Sequence, residues 1–203
     1  MTQDRIPDVP TDAELLEAYR AGDGSSLAVL FDRYRKALYA YIARMTEGRG
    51  DADEIFQETW FRAIRHLPRY RAGHFRAWLY RICHNLMIDR GREASRWTSL
   101  DQPLAGDEGS TAQDRLAATE PDPAAAAASQ DLGRIIDGLL TGLPAAQREV
   151  FLLRTEGELP FREIARLQGV SINTALARMQ YAVEKLRVGL RTETSMRSFH
   201  HEL

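Results

Sequence analysis

The chain has 203 residues, 44% hydrophobic and 28% charged, a composition ordinary for one large globular domain or two small ones. No window approaches the roughly 18 unbroken apolar residues of a membrane span, and no apolar h-region follows the start, so an unprocessed cytoplasmic protein without membrane insertion is expected. A single cysteine, Cys83, excludes an internal disulfide framework and a multi-cysteine zinc site.

The formal net charge of −2 argues at face value against a nucleic-acid binder, but a total says nothing about where the charges sit. Residues 1–24 sum to −4, residues 62–97 to +7, residues 98–131 to −6 and residues 160–191 to +4. A solvated helix face mixes its signs, whereas here two basic blocks are separated by an acidic one. All cations but Lys36 and Lys185 are arginine, the side chain whose planar fork suits phosphate and base edges.

In chain order the pattern is helical throughout, with no alternating strand signal. Thr11 and Glu14 form a capping box for a short helix that ends at Gly22. From Ser25 to Met45, Leu27, Leu30, Phe31, Tyr34, Leu38, Tyr41, Ile42 and Met45 recur at three- and four-residue steps. Asp51 and Glu54 suggest a second capping box, after which Ile55, Phe56, Trp60, Ile64 and Leu67 carry an apolar stripe to Pro68. A fourth helix spans about Gly73 to Arg96, with Phe75, Trp78, Leu79, Ile82, Leu86 and Ile88 mostly on one side. Residues 98–129, rich in acids, Pro, Gly and Ala, bury too little to offset their ordering entropy and read as a flexible linker, although the alanine run 124–128 can extend the helix that follows.

Beyond the linker, Leu132, Ile135, Ile136, Leu139 and Leu140 form an amphipathic stretch closed by Gly142. Pro144 opens the next helix and Gly157 breaks it. Pro160 starts a short helix, Gln168-Gly169-Val170 makes a tight turn, and Ser171 caps a longer basic helix to about Leu190, a helix-turn-helix pattern. The second helix of such a pair enters the major groove with small or hydrogen-bonding residues at its start. Arg162, Ser171, Asn173, Thr174, Arg178 and Tyr181 are the candidates for duplex DNA, with Ala175, Met179 and Val183 facing inward.

The stretch from Arg71 to Trp97 interleaves arginines with Phe75, Trp78 and Tyr80. A basic groove with aromatic platforms holds single-stranded nucleic acid, and a flipped base also needs donors and acceptors, which Asn85 supplies. Trp78 and Leu79 read as core. Asp53, Glu54, Gln57 and Glu58 lie on the polar side of the third helix. Paired acids invite an acid/base or metal-hydrolase reading, but no nucleophile or ligand spacing accompanies them, so a polar protein-docking face fits better. Cys83-His84 has no partner motif for a metal, and no phosphate loop or catalytic constellation is present; neither cofactor nor small-molecule substrate is expected.

These motifs, taken in order, resemble the extracytoplasmic-function (ECF) sigma factors of bacterial RNA polymerase. Residues 51–63 (DADEIFQETWFRA) resemble their core-binding helix and residues 75–90 (FRAWLYRICHNLMIDR) the helix that reads and melts the minus-ten element. Residues 143–151 (LPAAQREVF), together with 161–187, resemble region four, which reads the minus-thirty-five element. The resemblance implies an all-α fold of two small domains: a four-helix region two over residues 1–97, the flexible acidic linker, a helix-turn-helix region four over 130–191, and a tail from 192 to 203. It implies a non-enzymatic initiation subunit whose Asp53, Glu54, Gln57 and Glu58 meet the clamp helices of the polymerase β′ subunit. Tyr70, Arg71 and His74 would lie in the loop that captures a flipped base, with Asn85 helping to read it and Arg76, Arg81 and Arg90 contacting the strand. Promoter DNA and an anti-sigma protein released by a stress signal are the implied partners. Cys83-His84 and Asn173-Thr-Ala-Leu-Ala-Arg depart from the family pattern, the latter lacking a lysine at Leu176. A stand-alone helix-turn-helix regulator is the alternative, as it needs only residues 160–191.

Overall fold

The computed structural model describes residues 9–46, 50–71, 73–98 and 123–200. The described elements are α1 (Asp12–Arg20), α2 (Ser25–Thr46), α3 (Ala52–His66), a 3-10 turn (Leu67–Arg69), α4 (Phe75–Thr98), α5 (Pro123–Thr141), α6 (Ala145–Thr155), α7 (Phe161–Gln168) and α8 (Ile172–His200). Among the described residues no helix is long and apolar enough to cross a membrane.

Local signals set most helix starts. The Thr11 hydroxyl accepts from Glu14 N–H at 3.3 Å while the Glu14 carboxylate accepts from Thr11 N–H at 2.7 Å, two otherwise orphaned donors satisfied at once. Pro144 and Pro160 sit just before α6 and α7. The capping box expected at Asp51 does not form: Asp51 makes no side-chain cap. Glu54 instead accepts from the Arg90 guanidinium of α4 at 2.5 Å, so a tertiary partner has displaced the local one. α5 begins at Pro123, so residues 123–129 of the expected linker belong to a helix; residues 99–122 lie outside the described residues. α8 likewise runs past the expected domain end at 191 to His200.

The N-terminal half is organised around α2, whose Leu30, Tyr34, Leu38, Tyr41 and Ile42 are buried at the helical repeat. They meet Leu15 and Leu16 of α1, Ile55 and Trp60 of α3, and Phe75, Leu79, Tyr80, Cys83 and Leu86 of α4. Burial of each large side chain contributes roughly 1.5–3 kcal/mol. Phe75 and Tyr80, which the sequence suggested as nucleic-acid platforms, are closed off in this core. In the C-terminal half Leu140, Leu143, Val150, Leu152, Leu153, Leu159, Ile164, Ala175, Ala182 and Leu186 are buried together. Of the α8 residues expected to face inward, Ala175 is buried and Met179 is half-buried against the core, whereas Val183 is exposed at the margin; Ala182 and Leu186 complete the inward face.

The two halves do not stand apart. α2 packs on α5 and α6, and α4 packs on α7. A Cβ built on Gly157 would lie 3.2 Å from the Tyr80 ring, so that ring, set edge-on to Tyr41 with centroids 5.2 Å apart, closes over the turn after α6. Glu149 of α6 is buried and meets Tyr41 and His84 of the other half.

Candidate nucleic-acid interface

The helix-turn-helix is α7, the turn 169–171 and α8. Gly169 adopts φ +64°, a left-handed conformation that costs a Cβ-bearing residue energy. Its N–H donates to Arg166 O and Val170 N–H donates to Ala165 O at 2.9 Å, closing the end of α7. Ser171 caps α8: its hydroxyl accepts from Thr174 N–H at 3.1 Å and lies 2.9 Å from the Thr174 hydroxyl. Asn173, Thr174 and Arg162 are exposed, and Tyr181 is 64% exposed. Arg178 is half-buried, its guanidinium donating to Gln168 Oε1 at 2.6 Å. The first turns of α8 therefore present Asn173 and Thr174 outward beside the exposed Ile172 and Leu176, a mix of hydrogen-bonding and apolar groups of the kind that meets base edges in the major groove.

The loop before α4 is held by its own atoms. Tyr70 Oη donates to Gly73 O at 2.7 Å, the Arg20 guanidinium donates to Tyr70 O, and Gly73 has φ +124°. The Tyr70 ring packs on Trp78 with centroids 4.9 Å apart and edge-on to Phe75 at 6.0 Å. Partial burial, then the Asp12 charge, raise the Tyr70 phenol above its ordinary value, so it stays a neutral donor. Trp78 is only half-buried and offers part of its face at the loop rather than being wholly core. Arg71, His74, Arg81 and Asn85 are exposed, and the helical repeat sets His74, Trp78, Arg81 and Asn85 along one side of α4. Arg76 donates instead to Glu158 of the C-terminal half, and Arg90 is engaged with Glu54. Tyr70, His74, Trp78 and Arg81 line a cleft of about 390 Å³ whose other wall is Arg162 and Arg166 of α7.

On α3, Asp53, Glu54 and Gln57 are exposed, and Glu58 accepts from Arg62 Nε at 2.7 Å. The Arg90 guanidinium holds the Glu54 carboxyl below the usual carboxylate range. Sequence reasoning missed Phe61, which is 61% exposed among these polar groups, and assigned Ile64, 42% exposed, to the core stripe. Phe61 falls one turn after Gln57, off the apolar repeat, and that offset was the available signal. Exposed aromatics within a polar rim mark protein-docking surfaces. Among the described residues no group of three or more His, Cys, Asp or Glu could hold a metal.

Two family models match in chain order: Sigma-70 region 2 over residues 30–97 and Sigma-70, region 4 over residues 133–186. The ECF RNA polymerase sigma factor SigW of Bacillus subtilis is 31% identical over 177 residues, spanning 87% of this chain and 95% of that protein. SigL of Mycobacterium tuberculosis is 30% identical over 181 residues, spanning 84% and 92%. Among solved structures, CnrH in complex with the cytosolic domain of CnrY aligns with a TM-score of 0.60 at 25% identity over 89% of this chain and 97% of that one. RpoE of Bartonella quintana, in complex with NepR, aligns at 0.65 and 19% identity over 81% and 96%, a likeness of fold. The similarity runs through both halves, which a stand-alone helix-turn-helix regulator does not explain. The chain belongs to the ECF RNA polymerase sigma factors, a family of transcription-initiation factors rather than enzymes.

Proposed function

We propose that this sigma factor works in the cytoplasm as two functional units, residues 1–97 and 130–191, that bind core polymerase and divide promoter recognition between them. Asp53, Glu54, Gln57 and Glu58 dock α3 on the clamp helices of the β′ subunit, with exposed Phe61 as the apolar anchor of that face. The 70–74 loop receives a base as the minus-ten element unstacks. Asn85 addresses its edge and the half-buried Trp78 gives a stacking surface worth roughly 1–3 kcal/mol per base. Arg71, Arg76, Arg81 and Arg90 neutralise the strand. Arg162, Ser171, Asn173, Thr174, Arg178 and Tyr181 contact the minus-thirty-five duplex. An anti-sigma protein holds the factor inactive; RpoE, which shares the fold, is found in complex with the anti-sigma factor NepR.

The observation that carries this reading is the presence in one chain of an exposed His74–Arg81–Asn85 face beside a glycine-kinked loop and a capped, polar-faced α8. Mixing the protein with purified core polymerase and genomic promoter fragments, with strand opening read by permanganate, tests it. Opening at selected promoters is expected, and Asn85→Ala should reduce it at least fivefold while core affinity is kept. Failure to bind core polymerase refutes the docking assignment, and equal loss of both properties refutes the role of Asn85.

A further inference from the structure

The outward side of α8 divides into two strips. Ala175, Ala182 and Leu186 are buried, so residues about half a turn away from them point off the core. One strip holds Ser171, Thr174 and Arg178, three and four residues apart and therefore neighbours on the surface. Its polar groups are already engaged. The Ser171 and Thr174 hydroxyls lie 2.9 Å apart, and the Arg178 guanidinium donates to Gln168 Oε1 at 2.6 Å. Gln168 is itself fixed, its Nε2 donating to Glu149 Oε2 at 2.7 Å and to Ala146 O at 3.1 Å. Groups held this way suit positioning contacts to the sugar and phosphate of a duplex rather than the reading of base edges.

The second strip is Asn173, Leu176 and Gln180, again three and four residues apart. All three are exposed, and among the described residues neither amide side chain has a hydrogen-bond partner. Leu176 is 39% exposed and Ile172, one turn earlier, 46%. The strip carries no cation. From Asn173 to Gln180 it rises about 10 Å, the span of about three base pairs.

These residue types have defined counterparts in the major groove. An amide side chain pairs with N6 and N7 of adenine, an apolar side chain meets the C5-methyl of thymine, and guanine is read chiefly by arginine or lysine. An exposed leucine gains by leaving water only against an apolar group, and the thymine methyl is the apolar group that base edges present there.

We propose that Leu176, with Ile172 beside it, is a specificity-determining residue that packs on the methyl of one thymine in the minus-thirty-five element, while Asn173 and Gln180 pair with adenines of the neighbouring base pairs. The strip thus selects a run of A·T pairs, and discrimination at its centre comes from a methyl group rather than from a hydrogen bond. The proposal rests on the assignment of α8 to the duplex.

The test uses the full chain bound to core polymerase and a promoter that this complex opens. Thymines of the protected upstream element are replaced one at a time by deoxyuridine, which lacks the methyl and keeps every hydrogen-bonding group. One replacement should weaken binding about fourfold, the effect of one buried methyl-sized group. In Leu176→Ala the same replacement should cost less than about 1.5-fold, because the partner of the methyl is gone. Leu176→Lys places a cation on the strip: binding to every fragment should strengthen and fall more steeply with salt, while the uracil penalty disappears. Asn173→Ala should relax the preference for one A·T pair by at least about fivefold.

Uracil tolerated at every position by the wild type overturns the methyl contact, as does a penalty that persists in Leu176→Ala. A protected element without A·T pairs overturns the proposed selection. Unchanged affinity and salt dependence in both Leu176→Lys and Asn173→Ala would mean that α8 does not meet the duplex at all. That outcome is distinct from altered affinity with uracil tolerated, in which only the thymine contact fails.

Discussion

Gly157→Ala isolates the apolar part of the contact between the halves. Gly157 is buried after the end of α6, and its φ is not in the left-handed region. On backbone grounds alone, alanine there would stabilise by about 0.4–1 kcal/mol through the unfolded chain. Packing opposes this. The added Cβ would stand 2.7 Å from Leu153 O and 3.2 Å from two atoms of the Tyr80 ring. The carbonyl belongs to α6 and moves only with the helix. The ring is 1% exposed and set against Tyr41 at 5.2 Å, so it has little room to retreat. Overpacking of this kind costs about 1–3 kcal/mol, and the net expectation is destabilisation by about 1–2 kcal/mol. Urea unfolding of the wild type, Gly157→Ala, Tyr80→Ala and the double variant provides the assay. Tyr80→Ala removes the ring half of the clash and leaves the carbonyl half. Gly157→Ala should therefore cost less in that background, with a coupling of at least about 0.5 kcal/mol. Stabilisation by Gly157→Ala, or additivity within about 0.3 kcal/mol, refutes the Tyr80–Gly157 contact as a determinant of closure.

Burial pushes the Cys83 thiol up to about 12, so at pH 8 only about one thiol in ten thousand is ionised. Reaction with a disulfide reagent should be at least about a thousandfold slower in the native chain than in denaturant, and equal rates would exclude this environment. Gly73→Ala strains a loop position at φ +124° by about 1–3 kcal/mol, and promoter opening should fall about fivefold or more with core affinity unchanged; unimpaired opening would remove the loop from the mechanism. Burial alone would raise the Glu149 carboxyl, but His84, Gln168 and Tyr41 outweigh it and hold it below its ordinary value. Its contribution to closure is therefore complete above the ordinary glutamate range near about 4.3 and is lost as pH falls through the lower folded value. Energy transfer between the halves should decline on acidification in the wild type, and an identical profile in Glu149→Gln would disprove the assignment.

The helices and their order were legible because each is encoded within a few residues: the Thr11–Glu14 box, the prolines before α6 and α7, the glycine turn and serine cap of the helix-turn-helix, and the apolar repeat of α2. The same locality misled at Asp51, where an equally good capping pattern lost Glu54 to Arg90, 36 residues away. Ile64 and Val183 obeyed the repeat yet lie exposed, because helical period assigns a face and not a neighbour to cover it.

The sequence by itself determined the family, the helical architecture and the basic blocks, since composition, spacing and order suffice for these. Only the tertiary structure decided how the faces stand toward one another. Tyr41 and His84 reach Glu149 across 108 and 65 residues, and nothing in their local patterns pairs them. A carboxylate on an isolated helix reads as a solvated charge. It becomes a buried acceptor for the other half, linked onward to Arg178, only when packing removes water from α2, α4 and α6 together.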